Sequence, residues 1–290
     1  MSSSAFRRLV AALGLTALTG LLAAGCGSSS DTPTNLNLSI SEQGKSAAFK
    51  SPSSAEGGLV TVKLANKGKA PHGVQFIQYT GDHTAADVKK QLGSNSNKIP
   101  DWIKLPGGIN GVSGGQTGEA TLNLPEGNYV IVDAAALGGP TSGPPATAQM
   151  KLSGGDTGDL PSTDAQVTAA SPAEDEFKWE ISGLKAGSNE LTFDSEGKDA
   201  VHIIIAAPVK GKAPPLSQIK KDLASNGPPP PYVDAAGAQS TALIDGGDSQ
   251  TLSLDLKKPG QYIFFCPLTD RDGKGKPHDQ EGLLSVETIK

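Results

Sequence analysis

The chain has 290 residues, with 25 Lys and Arg against 30 Asp and Glu and a net charge of −5, so it lacks the basic surplus of a nucleic-acid-binding surface. Its 36 Gly, 21 Pro and aromatic content of only 4% suit short strands joined by many turns and exclude a helical bundle as the economical reading. The length accommodates two domains of ordinary size.

At the N-terminus, Arg7 and Arg8 precede an apolar run from Leu9 to Ala24 that ends in Leu22-Ala23-Ala24-Gly25-Cys26. The run has the length of a signal peptide's apolar region and is short for a membrane span. Its end resembles the bacterial lipobox, which implies removal of residues 1–25 and lipidation of Cys26. An uncleaved transmembrane anchor is the alternative, disfavoured because no stop-transfer pattern follows. The residues around Arg7-Arg8 do not spell a full twin-arginine motif, so the export route stays open. Loss of the two arginines from 25 basic residues leaves 23 against 30 acidic ones, a mature net charge of −7. The expectation is an extracytoplasmic protein held on the bacterial cell membrane. Residues 26–34, rich in Gly, Ser and Thr, read as a flexible tether.

Beyond the tether the chain repeats itself. Asn66 to Val74 parallels Glu196 to Ile204; Val88-Lys89-Lys90-Gln91-Leu92 parallels Ile219-Lys220-Lys221-Asp222-Leu223; Trp102-Ile103 parallels Tyr232-Val233. Gly114-Gly115-Gln116-Thr117 matches Gly246-Gly247-Asp248-Ser249, and Gly127 to Val132 matches Gly260 to Phe265. The order is kept and the offset drifts only slightly, which points to a duplicated domain: residues 35–152, a polar linker at 153–164, and residues 165–290. Leu59 to Leu64, Ala120 to Leu124, Glu190 to Phe193 and Thr251 to Leu256 alternate in part, predicting strands with one buried face. Short helices are predicted over Ala85 to Leu92 and Leu216 to Leu223. About seven short strands and one helical excursion per half imply an all-β chain of two β-sandwiches. Tyr79, Trp102 and Tyr129 read as core residues.

With Cys26 committed to the lipid, Cys266 has no intramolecular disulfide partner, and a free thiol outside the cytoplasm is either buried and inert or present for chemistry. The four histidines are His72, His83, His202 and His278, of which His72 and His202 fall at equivalent places in the repeat. Gly260-Gln261-Tyr262-Ile263-Phe264-Phe265-Cys266 is followed, after eleven residues, by His278-Asp279-Gln280-Glu281-Gly282-Leu283. Taken with the earlier His202, this resembles the cupredoxin family. There a histidine at the end of one strand, a cysteine after a Gly-x-Tyr-x-x-x-Cys strand and a closing His-x-x-x-Gly-Met hold copper.

The resemblance implies tandem Greek-key β-sandwiches and one copper in the C-terminal half, bound by His202, Cys266 and His278. A thiolate with two imidazoles is the trigonal set that suits copper electron transfer. Leu283 stands where the family's axial Met stands; it cannot ligate, as in the type 1 sites of some laccases, and implies a three-coordinate site of raised potential. Alternatively the long loop and Leu283 mean that no blue copper centre forms. Zinc is the rival metal, with Asp279 as a fourth ligand. In the first half Asp133 replaces the cysteine and no histidine follows before His202, so His72 reads as structural; His83 has no evident partner. The charged loop from Asp270 to Lys276 reads as a solvated hairpin, or as a docking site for a redox partner.

Four histidines without a His-x-His pair are too few for a multicopper oxidase or a two-domain nitrite reductase, and no acid–base or nucleophilic constellation stands out. The expected function is a membrane-tethered copper protein that passes electrons or holds copper for a redox or copper-exchange partner. The alternative is a metal-free pair of β-sandwich modules that binds a protein or cell-wall partner. Convergence of His202, Cys266 and His278 discriminates the two.

Overall fold

The computed structural model describes residues 32–290 other than 45, 95, 137–144, 174–175 and 226. The expected signal peptide, Cys26 and the expected tether up to residue 31 lie outside the described residues, and among those described no helix is long and apolar enough to cross a membrane.

The first half contains β1 (Thr34–Gln43), β2 (Ser46–Lys50), β3 (Ser54–Glu56), β4 (Gly58–Asn66), β5 (His72–Tyr79), α1 (Ala85–Leu92), β6 (Ile103–Val112), β7 (Thr117–Leu124), β8 (Gly127–Val132) and β9 (Thr147–Ser153). The second contains β10 (Ala165–Ala173), β11 (Glu176–Ser182), β12 (Gly187–Ser195), β13 (Val201–His202), β14 (Ile205–Pro208), α2 (Leu216–Leu223), β15 (Gln239–Ser240), β16 (Ile244–Asp245), β17 (Ser249–Leu256), β18 (Gly260–Phe265), α3 (His278–Glu281) and β19 (Leu284–Ile289). Both eight-residue helices span the residues that the sequence predicts. The four alternating segments lie in β4, β7, β12 and β17.

The architecture is all-β and sandwich-like. In the first half β1 pairs antiparallel with β2 and parallel with β4, which pairs antiparallel with β7. In the second, β10 pairs antiparallel with β11 and parallel with β12, which pairs antiparallel with β17. The same pairings in the same senses thus occur twice, and antiparallel pairing of β17 with β7 joins them into one eight-stranded sheet. Facing it are a seven-stranded sheet, ordered β13-β16-β6-β5-β8-β9-β3, and a four-stranded one, β15-β14-β18-β19.

The period of two explains the core. Val60, Val62 and Leu64 of β4, and Leu191 and Phe193 of β12, are fully buried, while intervening residues are not. Each large side chain buried this way contributes about 1.5–3 kcal/mol. One continuous apolar cluster draws on both halves. The Tyr129 hydroxyl donates to the Pro125 carbonyl at 2.7 Å and the Tyr262 hydroxyl to the Lys258 carbonyl at 3.0 Å, fixing the turns into β8 and β18. Tyr79 and Trp102 are only half-buried, and His83, for which the sequence offers no partner, stacks on Trp102 with ring centroids 4.0 Å apart.

Candidate metal centre

Strand ends and one short helix build the site. β13 ends on His202, and Cys266 follows directly on β18. His278 opens α3, where Pro277 supplies the fixed φ suited to a helix entry. Backbone hydrogen bonds wrap this helix around the cysteine: Asp279 N–H donates to the Cys266 carbonyl at 2.8 Å, and Cys266 N–H donates to the Leu283 carbonyl at 3.1 Å. Leu283 N–H in turn donates to the His278 carbonyl at 2.8 Å. The tight return depends on Gly282, at φ 131°, where a Cβ would collide with the Phe177 backbone.

The sequence-predicted triad converges. Cys266 Sγ lies 3.7 Å from His278 Nδ1 and 4.0 Å from His202 Nδ1, and the two Nδ1 atoms are 3.1 Å apart. His202, Cys266, His278 and Leu283 are all 0% exposed. The outer nitrogens are occupied: His202 Nε2–H donates to the Glu196 carbonyl at 3.0 Å, and His278 Nε2–H to Asp270 Oδ1 at 3.3 Å. Those acceptors set the tautomers, so both Nδ1 atoms carry lone pairs directed inward. Phe177 of β11 covers the pair, its ring centroid 4.5 Å from that of His278 and 5.3 Å from that of His202.

This arrangement is electrostatically incomplete as a protein-only cluster. Burial pushes the Cys266 thiol up to about 12, against the backbone groups of Leu268 and Ile203, which favour the thiolate. Burial, with the neighbouring His278, pushes His202 down to about 3. Burial likewise holds His278 below the ordinary imidazole range against the pull of Asp270. Two neutral imidazoles therefore face each other with lone pairs, and one S–H proton cannot satisfy both. A cation can. Donors about 2.0–2.1 Å (N) and about 2.3 Å (S) from a metal, at trigonal angles, sit about 3.8 Å apart for N···S and about 3.5 Å for N···N. The observed triangle lies within a few tenths of an ångström of those edges. The donor set fits a soft or borderline metal, copper above all.

Asp279 does not join the triangle. Among the described residues the cluster able to hold a metal comprises His202, Cys266 and His278 alone, and the buried Asp279 carboxylate accepts instead from Gln280 Nε2 at 3.0 Å. A tetrahedral zinc site completed by Asp279 is therefore not preformed. In the first half Asp133, which follows β8 as Cys266 follows β18, lies 2.7 Å from His72 Nδ1. The reading of the Asp270–Lys276 loop as a solvated hairpin holds for Asp272, Lys274, Gly275 and Lys276, which are exposed, and needs correction at Arg271, which is 8% exposed and whose Nη1 binds Asp245 Oδ1. Sequence reasoning also missed Glu196, Asp270 and Phe177. An acidic residue shortly before a metal-type histidine was a usable signal for Asp270, whereas a backbone acceptor at 196 and a ring arriving from β11 leave none.

No family model matches this chain, and no curated protein matches it. Among solved structures it is similar to auracyanin A, a "blue" copper protein from Chloroflexus aurantiacus, at 18% identity and TM-score 0.28, covering 41% of this chain and 99% of that one. It is similar to copper nitrite reductase from Nitrosomonas europaea at 13% identity and TM-score 0.26, covering 89% and 94%. A multicopper oxidase aligns at 12% identity and TM-score 0.25, covering 88% of each chain.

Proposed function

We propose that this chain is an extracytoplasmic copper protein that passes single electrons through one copper held by His202, Cys266 and His278. The observation that carries the reading is the triangle of three buried donors whose outward nitrogens are already hydrogen-bonded. Copper would supply a one-electron couple there. The protein's part is to hold both imidazoles by their outer nitrogens, to keep water away with Phe177 and Leu283, and to restrain the donors so that little rearrangement accompanies a change of charge. Complete burial of all three donors favours electron transfer over handing copper to another protein, because metal exchange needs an open route to a ligand.

The same reading takes the two halves, residues 35–152 and 165–290, as copies of one domain joined by residues 153–164, of which only the second keeps a site. It takes the chain as a lipoprotein, lipidated at Cys26 after removal of residues 1–25 and so held on the bacterial cell membrane beside a redox partner.

The test is metal analysis and visible spectroscopy of the soluble domain after Cu(II) addition. One equivalent of copper and an intense thiolate-to-copper absorption are expected. Cys266→Ser should abolish the absorption, since a hydroxyl is a poor ligand for a soft metal. Uptake of zinc or nothing, with a colourless Cu(II) sample, would refute the reading and favour a metal-free interaction module.

A further inference from the structure

In the eleven-residue connection between Cys266 and His278, Leu268 packs on the core and Arg271 carries the long-range polar contacts. Arg271 Nη1 binds Asp245 Oδ1, and Nη2 donates to the Ile103 carbonyl and, at 3.1 Å, to the Pro100 carbonyl. The other Asp245 oxygen accepts the Leu105 N–H at 2.8 Å. The Arg271 backbone is committed too: its N–H donates to the Asp199 carbonyl at 3.0 Å and its carbonyl accepts from Ile99 N–H at 2.7 Å. One residue therefore ties the 266–278 loop to segments 99–105, 199 and 245.

Two of these tied segments carry the groups that orient the imidazoles. Asp270, which accepts from His278, is the adjacent residue. Glu196, whose carbonyl accepts from His202, sits in the turn that Arg271 grips through Asp199. That turn is gripped a second time by the strand end holding Asp245: Gly246 N–H donates to the Ala200 carbonyl at 2.9 Å and Gly247 N–H to the Ser195 carbonyl at 2.7 Å. The approach is so close that a Cβ on Gly246 would strike the Gly197 carbonyl.

We propose that Arg271, paired with Asp245, is a positioning residue for the metal centre, through which the 99–105 segment of the first half fixes the orientation of both His202 and His278. The metal-free half is then a template for the site. The role requires a guanidinium, whose planar fork reaches a carboxylate and two carbonyls at once; a lysine brings the charge without the fork. The inference rests on the copper reading for its consequence but not for its geometry.

The experiment compares wild type with Arg271→Lys and with the charge-neutral pair Asp245→Leu/Arg271→Met, which keeps the comparison open where an unpaired buried charge prevents folding. Folding is checked by circular dichroism and thermal melting. Ring-nitrogen NMR shifts of His202 and His278 are recorded on the metal-free proteins, and Cu(II) affinity is measured by competition on the full soluble chain. Folded variants should lose the fixed Nε2–H tautomer signals and bind copper about 10- to 100-fold more weakly. Lys63→Ala, which removes a surface ion pair with Glu119, should change neither. Folded variants with wild-type ring shifts and wild-type affinity would reduce Arg271 to a structural role and overturn the proposal. If wild type takes up no copper, the functional reading fails, and the ring-nitrogen comparison alone still decides the positioning claim.

Discussion

The raised thiol makes metal uptake strongly pH-dependent, and the structure sets both the sign and the range. In the metal-free fold Cys266 titrates at about 12, so at neutral pH it is a thiol. His202 titrates at about 3 and is already neutral. A metal binds the thiolate and displaces its proton. Lowering the pH favours the protonated, metal-free form; raising it favours the loaded one. Above pH 7, where burial leaves both imidazoles neutral, one proton leaves per metal bound, so the apparent association constant should rise about tenfold per pH unit, about 100-fold between pH 7 and pH 9, or about 1.4 kcal/mol per unit. An exposed cysteine would behave this way only up to about pH 8.5, where the dependence would flatten. Here the slope should persist through pH 9 and beyond. The measurement is a Cu(II) titration against a chelator of known constants, with calorimetry in two buffers of different ionisation enthalpy to count protons. No proton release would mean a thiolate in the metal-free protein, and two protons would mean a charged imidazole. Flattening near pH 8.5 would mean that water reaches the sulfur. Each outcome would refute the buried, neutral triangle.

Phe177→Ala removes a nearly buried ring that covers both imidazoles, and should cost about 3–5 kcal/mol in denaturant unfolding while speeding copper loss to a chelator. Leu283→Met is close to volume-conserving and should cost less than about 1.5 kcal/mol, while its thioether lowers the reduction potential measured by protein-film voltammetry. Cys26→Ala should release the protein from the membrane fraction; mutant protein retained there uncut would favour a transmembrane anchor.

What could be read in the sequence is what local pattern encodes. Both helices show as charged and apolar residues at helical spacing, Ala85–Leu92 and Leu216–Leu223, and the structure keeps those bounds. Alternation in β4 and β12 announces which face is buried, because successive side chains point to opposite sides of a sheet. Cys266 and His278 are visible because a single strand, loop and helical turn carry both, and His202 is visible through its match to His72. Alternation does not tell which strand edge finds which partner, so the β17–β7 seam that fuses the halves into one sheet was illegible. Charge misleads in the loop: Asp270, Arg271 and Asp272 look solvated in sequence, and only the long-range approach of Asp245 and the Ile103 carbonyl takes Arg271 out of water. Backbone acceptors such as Glu196 carry no side-chain signature at all.

The two halves place a histidine and an acidic or thiol group at corresponding corners, and the difference between the corners lies in where the lone pairs go. In the first half the His72 Nδ1–Asp133 contact is 2.7 Å, and the other Asp133 oxygen accepts Gly73 N–H at 2.9 Å and Ala135 N–H at 3.3 Å. The outer His72 Nε2 has no hydrogen-bond partner, with Glu42 Oε1 3.5 Å away, but no thiol and no second imidazole faces this pair, which stands as a buried, hydrogen-bonded contact. In the second half the outward nitrogens are satisfied by Glu196 and Asp270, which leaves the inward faces of His202 and His278 opposed across 3.1 Å with a single thiol proton between them. Burying such a set costs free energy that nothing in the polypeptide returns. On the copper reading proposed above, a cation between these opposed donors, at 0% exposure beneath Phe177 and beside Leu283, would take up all three at once.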